Sequence, residues 1–177
     1  MKKRYMTLIA AAAAVLVFGI GVTIAYLVAT SHPVRNVFTV GSVKVTLEES
    51  TGQEYPMAPG VSVAKKPTVT VLANSESCWL FVRMQPINGF DEYCTYTVRD
   101  GWTALPNENG VYYRYVSRAA NDQMFNLLQN DCVTVKDTVT EEQLAAITQY
   151  PTLDLTAYAV QETGFATASD AWQGMNH

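Results

Sequence analysis

Few residues of this chain have the types and spacing that catalysis needs. The sequence contains two histidines, His32 close behind an N-terminal hydrophobic segment and His177 at the C-terminus. A zinc peptidase places two histidines on one helical face with a glutamate between them, and a hydrolase triad needs a histidine held beside its nucleophile. Neither site can be built from these two residues. The sequence therefore predicts no catalytic residue, no metal site and no cofactor.

Adjacent acidic residues are the remaining candidates for acid–base chemistry. They occur as Glu48-Glu49, Asp91-Glu92 and Glu141-Glu142. The members of these pairs point to different faces or lie in turns, whereas a glycosidase needs two carboxyl groups that face one substrate. We therefore interpret them as solvated surface acids and predict that the protein is not an enzyme.

The cysteines are odd in number: Cys78, Cys94 and Cys132. An oxidising compartment would allow one disulfide and leave one thiol, and Cys78–Cys94 is then the first candidate because both lie on consecutive predicted strands. The alternative, which we favour, is three small apolar residues in or near strands. The chain has no CxxC or Cys/His ligand spacing, which argues against zinc.

The N-terminus has the order of an export signal. A basic cluster at residues 2–4 precedes the uncharged segment 6–28, and short side chains stand at Thr23 and Ala25. A signal peptidase requires such side chains three and one positions before its cut. The pattern predicts cleavage after Ala25, with Tyr26 as the first residue of a secreted, extracellular or cell-surface protein.

Retention of the leader is the alternative. The 23 uncharged residues of segment 6–28 would rise about 34 Å as a helix, enough to cross a hydrocarbon core of ~30 Å. The segment could then remain as an N-terminal membrane anchor. We favour cleavage because the first half is only mildly hydrophobic and the residues before the expected cut are small.

Length and charge are consistent with one exported domain. We divide the chain into a signal peptide (1–25), an N-terminal arm (26–36) and a β-sandwich domain (37–177). The signal holds three of the twelve basic residues and none of the sixteen acidic ones, so the remainder has a formal net charge of −7. That charge argues against nucleic acid as a partner.

Alternating and β-branched patterns predict a mainly β fold. A strand opened by residues 37–41 continues with apolar alternation to residue 48, and 78–84 is apolar almost throughout, as in a strand covered on both faces. A capping box at Thr140 and Gln143 begins one helix, and residues 168–172 form a last helical turn. Further strands are predicted at 61–63, 68–71, 93–98, 111–116, 132–135 and 153–160. Together these elements favour an antiparallel β-sandwich with one or two short helices.

Several segments, taken in order, resemble one family. They are the segment 19–25, FTVGSVKVTLEE, Pro59-Gly60, PTVTV with CWLFVRM, GWTALPNENGVYYRYV, VTVKDTVTEEQLAAI, and LDLTAYAVQ with ASDAW. The set is similar to the SipW-dependent exported proteins, that is, TasA and camelysin-type biofilm matrix proteins, and most to BsaA-type members. The resemblance covers essentially the whole chain.

The resemblance implies a jelly-roll-like β-sandwich behind an N-terminal signal helix, exported through a signal peptidase of the SipW type. It also implies a structural subunit of extracellular fibres, in which the strand freed by cleavage completes the sheet of a neighbouring copy, with an anchor or accessory matrix protein as a further partner. On this chain the assembly strand begins at Tyr26 and Leu27 and includes Val37, Phe38 and Val40. His32-Pro33 departs from the family pattern by interrupting the strand. Camelysin-type members have been described as metalloproteases, but the two histidines here cannot form an HExxH site.

Two alternatives stay open. The arm can pair within its own domain instead of with a neighbour. The protein can also be a cell-surface adhesin or ligand-binding module, anchored by an uncleaved helix. The aromatic residues Trp102, Tyr112, Tyr113 and Tyr115 could face a carbohydrate or protein ligand, although core residues alternating with surface tyrosines are the preferred interpretation.

Overall fold

The structure is a computed structural model that describes the backbone of residues 35–40, and residues 42–51 and 57–175. Strands dominate it, which confirms the predicted mainly β fold. The strands of these ranges are β1 (Arg35–Val40), β2 (Val45–Glu49), β3 (Ser62–Ala64), β4 (Pro67–Val71), β5 (Cys78–Ile87), β6 (Cys94–Thr95), β7 (Thr103–Ala104), β8 (Val111–Val116), β9 (Gln123–Asn126), β10 (Cys132–Val135) and β11 (Thr152–Gln161). The helices are α1 (Phe90–Tyr93), α2 (Glu141–Ala145), α3 (Ala168–Gln173) and a 3-10 turn, Gln129–Asp131.

These strands form three sheets. The largest has the order β1-β11-β5-β8-β7, and the two smaller ones have the orders β3-β10-β6 and β2-β4-β9. β5 and β11 pair along ten residues each and form the centre of the large sheet. The expected antiparallel pairing is confirmed for the other strand pairs, whereas β1 runs parallel to β11. A parallel pair needs a long connection, and here nearly the whole domain separates the two strands.

The main core lies against one face of the large sheet. It joins Leu80 and Val82 of β5 to Val69 of β4 and Val135 of β10, and each of these side chains is at most 1% exposed. The alternating apolar positions of the smaller sheets therefore close over the large one, since removing apolar surface from water is the main favourable term in folding.

A second apolar cluster covers the opposite face of the large sheet. The ring of Trp172 in α3 lies 5.2 Å from that of Phe81 in β5 and 5.2 Å from that of Tyr158 in β11, measured between centroids. The guanidinium carbon of Arg83 stands 5.1 Å from the centre of the Trp172 ring. β5 is thus covered on both faces, as its nearly continuous apolar sequence predicts.

Both helices expected near the C-terminus are present. The Thr140 hydroxyl accepts a hydrogen bond from the Gln143 backbone N–H at 3.2 Å, and the Gln143 side-chain oxygen accepts one from the Thr140 N–H at 2.8 Å. This is the predicted capping box of α2, which buries Leu144 against the main core. α3 forms at the predicted place and docks Trp172.

The long strand expected from residue 37 to residue 48 is wrong as one element. The chain forms β1 and β2 in different sheets, and the backbone between them is held elsewhere: the Lys44 N–H donates to the Ser75 hydroxyl at 3.1 Å, and the Lys44 carbonyl accepts from the Leu72 N–H at 2.8 Å. Alternation with a period of two continues through such a change of sheet, so the pattern does not reveal it.

Three further corrections concern short elements. The strand predicted at 93–98 is only β6, preceded by the unexpected helix α1, so the described ranges hold more short helices than the one or two expected. β9 and the 3-10 turn occupy 121–130, where no clear element is predicted. Asn130 and Asp131 both have positive φ there, at 56° and 50°, and so turn the chain sharply into β10.

Candidate assembly edge

The predicted assembly residues that the structure describes lie in β1. β1 is an edge strand, and its parallel register with β11 runs from Arg35 opposite Leu155 to Val40 opposite Val160. Val37 and Phe38 stand opposite Ala157 and Tyr158 in this register. The arm boundary set after residue 36 falls inside the strand, because β1 begins at Arg35.

The other predicted site residues lie outside the described residues. These are the cleavage residues Thr23, Ala25 and Tyr26, and Leu27 of the assembly strand. The structure therefore shows the C-terminal part of the predicted assembly strand on the β11 edge of its own chain. The sequence leaves open whether this strand pairs within its own chain or with a neighbour, and the structure shows the pairing within its own chain.

β11 is covered on both faces and is paired by β1 along this edge. Leu155, Ala157 and Ala159 belong to the main core, whereas Tyr158 and Val160 belong to the second cluster, and none is more than 7% exposed. If β1 left, a row of N–H and C=O groups along β11 would open to water and could pair with a strand from another chain.

The β1 edge is also the longest sheet edge among the described strands. β1 has six residues, while the other edge strands, β2, β3, β6, β7 and β9, have between two and five. Natural proteins keep free edges short to avoid pairing with other chains. If β1 is withdrawn, the six-residue edge of β11 that it leaves is therefore the place where a strand from another chain gains most backbone hydrogen bonds.

The connection after β1 is short. Val43 is 3% exposed and anchored in the main core, and the Ser42 carbonyl accepts from the Glu76 N–H at 3.4 Å. A single residue, Gly41, stands between the end of β1 and these anchored residues. Any exchange of β1 between chains must therefore redirect the chain between Val40 and Ser42.

The sequence does not predict that β11 is the strand with which β1 pairs. It predicts a strand over 153–160 but not that residues 155–160 receive the N-terminal strand. The available signal is the nearly unbroken apolar run from Leu155 to Val160, interrupted only by Thr156, which is typical of a strand covered on both faces and therefore inside a sheet.

Side chains that could bind a metal ion do not cluster among the residues described. Both histidines lie outside them, and within them no group of His, Cys, Asp or Glu could hold a metal ion. Glu49 is engaged by Lys65, whose ammonium lies 2.7 Å from its carboxylate. Hydrogen bonds from its own backbone and from the Thr140 side chain lower the pKa of Glu142 at the start of α2. The prediction of solvated surface acids is therefore wrong for Glu49, whose side chain is 3% exposed and paired.

The three cysteines are free thiols. Cys78 pairs with β8 and β11 in the large sheet, whereas Cys94 stands opposite Val135 in a different sheet, so the candidate Cys78–Cys94 bridge is not formed. Burial raises the pKa of both thiols to about 11, with Lys136 opposing the shift at Cys94. Cys132 is half-buried. Cys78 and Cys94 remain protonated at neutral pH and cannot act as thiolate nucleophiles.

The aromatic residues do not form one surface. Trp102 is 8% exposed in the main core, and Tyr112 packs against the same core. Tyr113 packs against the second cluster, and Tyr115 is 43% exposed on that side, with its ring 5.4 Å from that of Trp79. The preferred interpretation, core residues alternating with surface tyrosines, therefore holds only for Trp102 and Tyr115, since Tyr112 and Tyr113 are both half-buried, on opposite faces of β8.

Comparison with known proteins adds no assignment. No family model, no curated protein and no solved structure matches this chain. Across the ranges that the structure describes, no helix has both the length and the apolar character required to span a bilayer.

Proposed function

We propose that the protein is a secreted structural subunit of an extracellular biofilm matrix fibre, with a jelly-roll-like β-sandwich domain that assembles by donating its N-terminal strand to a neighbouring copy. Residues 1–25 serve as a signal peptide that a SipW-type peptidase removes, and the protein performs no catalysis. An anchor or accessory matrix protein holds the fibre at the cell surface. The observation that supports this proposal most is the parallel β1–β11 ladder at the longest described sheet edge, downstream of the leader.

The same ladder can form between two chains. The hydrogen-bonding edge of β11 over Leu155–Val160 does not depend on which copy supplies the strand. Exchange of an identical element between protomers adds no new interface chemistry, and an extended segment added to a sheet edge gains affinity from main-chain hydrogen bonds. The free energy per subunit is then close to that of the closed monomer, so protein concentration decides between them.

Continuation of the strand toward residue 26 favours the open form. In a neighbour, each large apolar side chain of the segment that becomes fully buried would add roughly 1.5–3 kcal/mol. Tyr26, Leu27 and Val28 are such side chains. When a chain donates to one copy and accepts from a different copy, the contact is heterologous and propagates as a fibre, whereas reciprocal exchange between two copies would close as a dimer.

The test compares two purified chains, residues 26–177 and residues 41–177. We expect the first to form filaments in negative-stain electron micrographs above a threshold concentration. The second lacks β1 and should stay monomeric, and circular dichroism checks that it is folded. Added in small amounts to the first, it should shorten the filaments, because it can accept a strand but cannot donate one.

A double substitution in the full mature chain provides a control of equal length. Val37→Pro/Phe38→Pro removes two consecutive N–H groups of β1, one of which faces β11 because consecutive N–H groups of a strand point to opposite edges. This chain should not form filaments, since proline cannot donate to the ladder. Filaments formed equally well by residues 41–177, or the absence of filaments from 26–177 at every concentration, would overturn the proposed assembly.

A further inference from the structure

A groove lies on the main-core side of β8, apart from the β1 edge. It consists of two adjoining depressions of about 510 and 360 Å³, and Asp91, Tyr96 and Tyr112 line both. Lys136 lies in the first depression, and Gln85 and Asn109 line the second. We call these six residues the Tyr112 groove. Its two parts fall in the size range of small-ligand clefts.

The groove is built on rigid supports. Phe90 of α1 is 4% exposed, and its ring centroid lies 6.0 Å from that of Tyr96. The Lys136 backbone N–H donates to the Tyr93 carbonyl at 2.8 Å, and the Lys136 ammonium donates to the Asp91 carbonyl. At the far end, the Gly110 carbonyl accepts from the Met84 N–H at 2.8 Å. Both walls are therefore fixed to the core before any ligand arrives.

The groove presents aromatic rings together with hydrogen-bonding groups. Tyr96 and Tyr112 are half-buried, and neither hydroxyl has a hydrogen-bond partner among the described residues. Asp91 and Asn109 are exposed, so a carboxylate and an amide are free to bind hydroxyl groups. Burial, reinforced by Tyr112 and Asp91, raises the pKa of Tyr96 to about 12, so its hydroxyl remains a donor at every physiological pH.

The lining excludes several ligand classes. Nucleic acid and other polyanions need several cations. The groove has Lys136 as its cation, and the Lys136 ammonium already donates to the Asp91 carbonyl. The Asp91 carboxylate also offsets the charge of Lys136. A hydrophobic ligand would leave the exposed Asp91 and Asn109 unpaired. An extended peptide would need a long open strand edge beside the rings, but β8 is paired on both sides, with β5 and β7, and the open edge strand β6 has only two residues.

We propose that the Tyr112 groove binds a neutral polysaccharide built of pyranose rings. The C–H faces of a pyranose pack against Tyr96 and Tyr112, and its hydroxyl groups bind Asp91 and Asn109. The site is separate from β1 and goes beyond the proposed fibre role. It gives each subunit a contact to glycan, whether or not the subunits polymerise.

The test is affinity electrophoresis of the chain 26–177 below its assembly concentration, in gels containing hydroxyethylcellulose, glucomannan, dextran or polygalacturonate. At least one neutral polysaccharide should retard the protein. Tyr112→Ala and Asp91→Asn should each weaken that retardation at least tenfold, while Tyr112→Phe, which keeps the ring, should lose less than Tyr112→Ala. Tyr115→Ala is the matched control, because it removes an exposed tyrosine from the opposite face of the same strand.

Retardation by none of the neutral polysaccharides, or retardation that the groove variants leave unchanged, would overturn the proposal. Stronger retardation by polygalacturonate would also overturn it. The Asp91 side chain is exposed, and Lys136 contacts the backbone carbonyl of Asp91. Asp91→Asn should therefore keep the fold and still tests the groove if Tyr112→Ala does not fold. Filament formation is scored separately, so failure of either proposal is distinguishable from failure of the other.

Discussion

Gly110 is the glycine whose replacement should damage the fold most. It has φ of 70°, and a Cβ added there would lie 2.5 Å from the carbonyl oxygen of Met84 in the central strand β5. The neighbouring Met84 N–H donates to the Gly110 carbonyl, so neither backbone can withdraw without loss of a hydrogen bond. Gly110→Ala therefore combines a conformational cost with a backbone clash.

The two costs can be separated with a matched glycine. Gly60 has φ of 73°, and its added Cβ would meet only the Asp137 Cβ, at 3.8 Å, which is an ordinary contact. Gly60→Ala should thus lose only the cost of a left-handed residue, about 1–2 kcal/mol. Gly110→Ala should lose a further 1–3 kcal/mol or so, as overpacked sites do.

Urea unfolding, followed by tryptophan fluorescence, measures both losses on the monomeric protein. We expect equal slopes and a midpoint for Gly110→Ala well below that for Gly60→Ala. Equal losses for the two variants would refute the reasoning, because they would show that β5 moves away at little cost. The Gly110→Ala protein should also bind the polysaccharide more weakly, since Gly110 lines the second depression of the Tyr112 groove.

Three further outcomes are expected. Lys65→Met removes the cation 2.7 Å from a Glu49 carboxylate whose side chain is 3% exposed, and should lower the free energy of unfolding by about 3 kcal/mol; the double variant Glu49→Gln/Lys65→Met should recover part of that loss in the same urea assay. Thr140→Ala removes the cap of α2 and should cost about 1 kcal/mol; an unchanged thermal midpoint would contradict this. Cys78 and Cys94 have pKa values raised from 9.0 to about 11, so the folded state binds more protons than the unfolded state between these values. Stability should be retained below pH 9 and fall as pH rises toward 11, and a double Cys→Ala variant should show a smaller fall.

Local patterns predicted the elements whose signals lie within a few residues. The capping box at Thr140 and Gln143 satisfies backbone donors of its own helix, so sequence is enough to locate α2. The apolar run of β5 and the β-branched and aromatic run of β8 are likewise read without knowledge of their partners. The spacing of the two histidines, His32 and His177, shows without a structure that the sequence has no HExxH motif.

The pairing of strands could not be predicted, because the residues of one strand do not indicate which other strand pairs with it. The division of residues 37–48 between two sheets, the parallel register of β1 with β11, and the presence of β9 depend on contacts between residues far apart in the chain. The Tyr112 groove arises in the same way, since Asp91, Tyr96 and Tyr112 come from three separate elements or turns. The amino-acid order by itself determined the mainly β character, the capped helix and the export-type leader pattern. Only the tertiary structure decided which edges meet, because alternation records which side chains are buried and not which strand covers them.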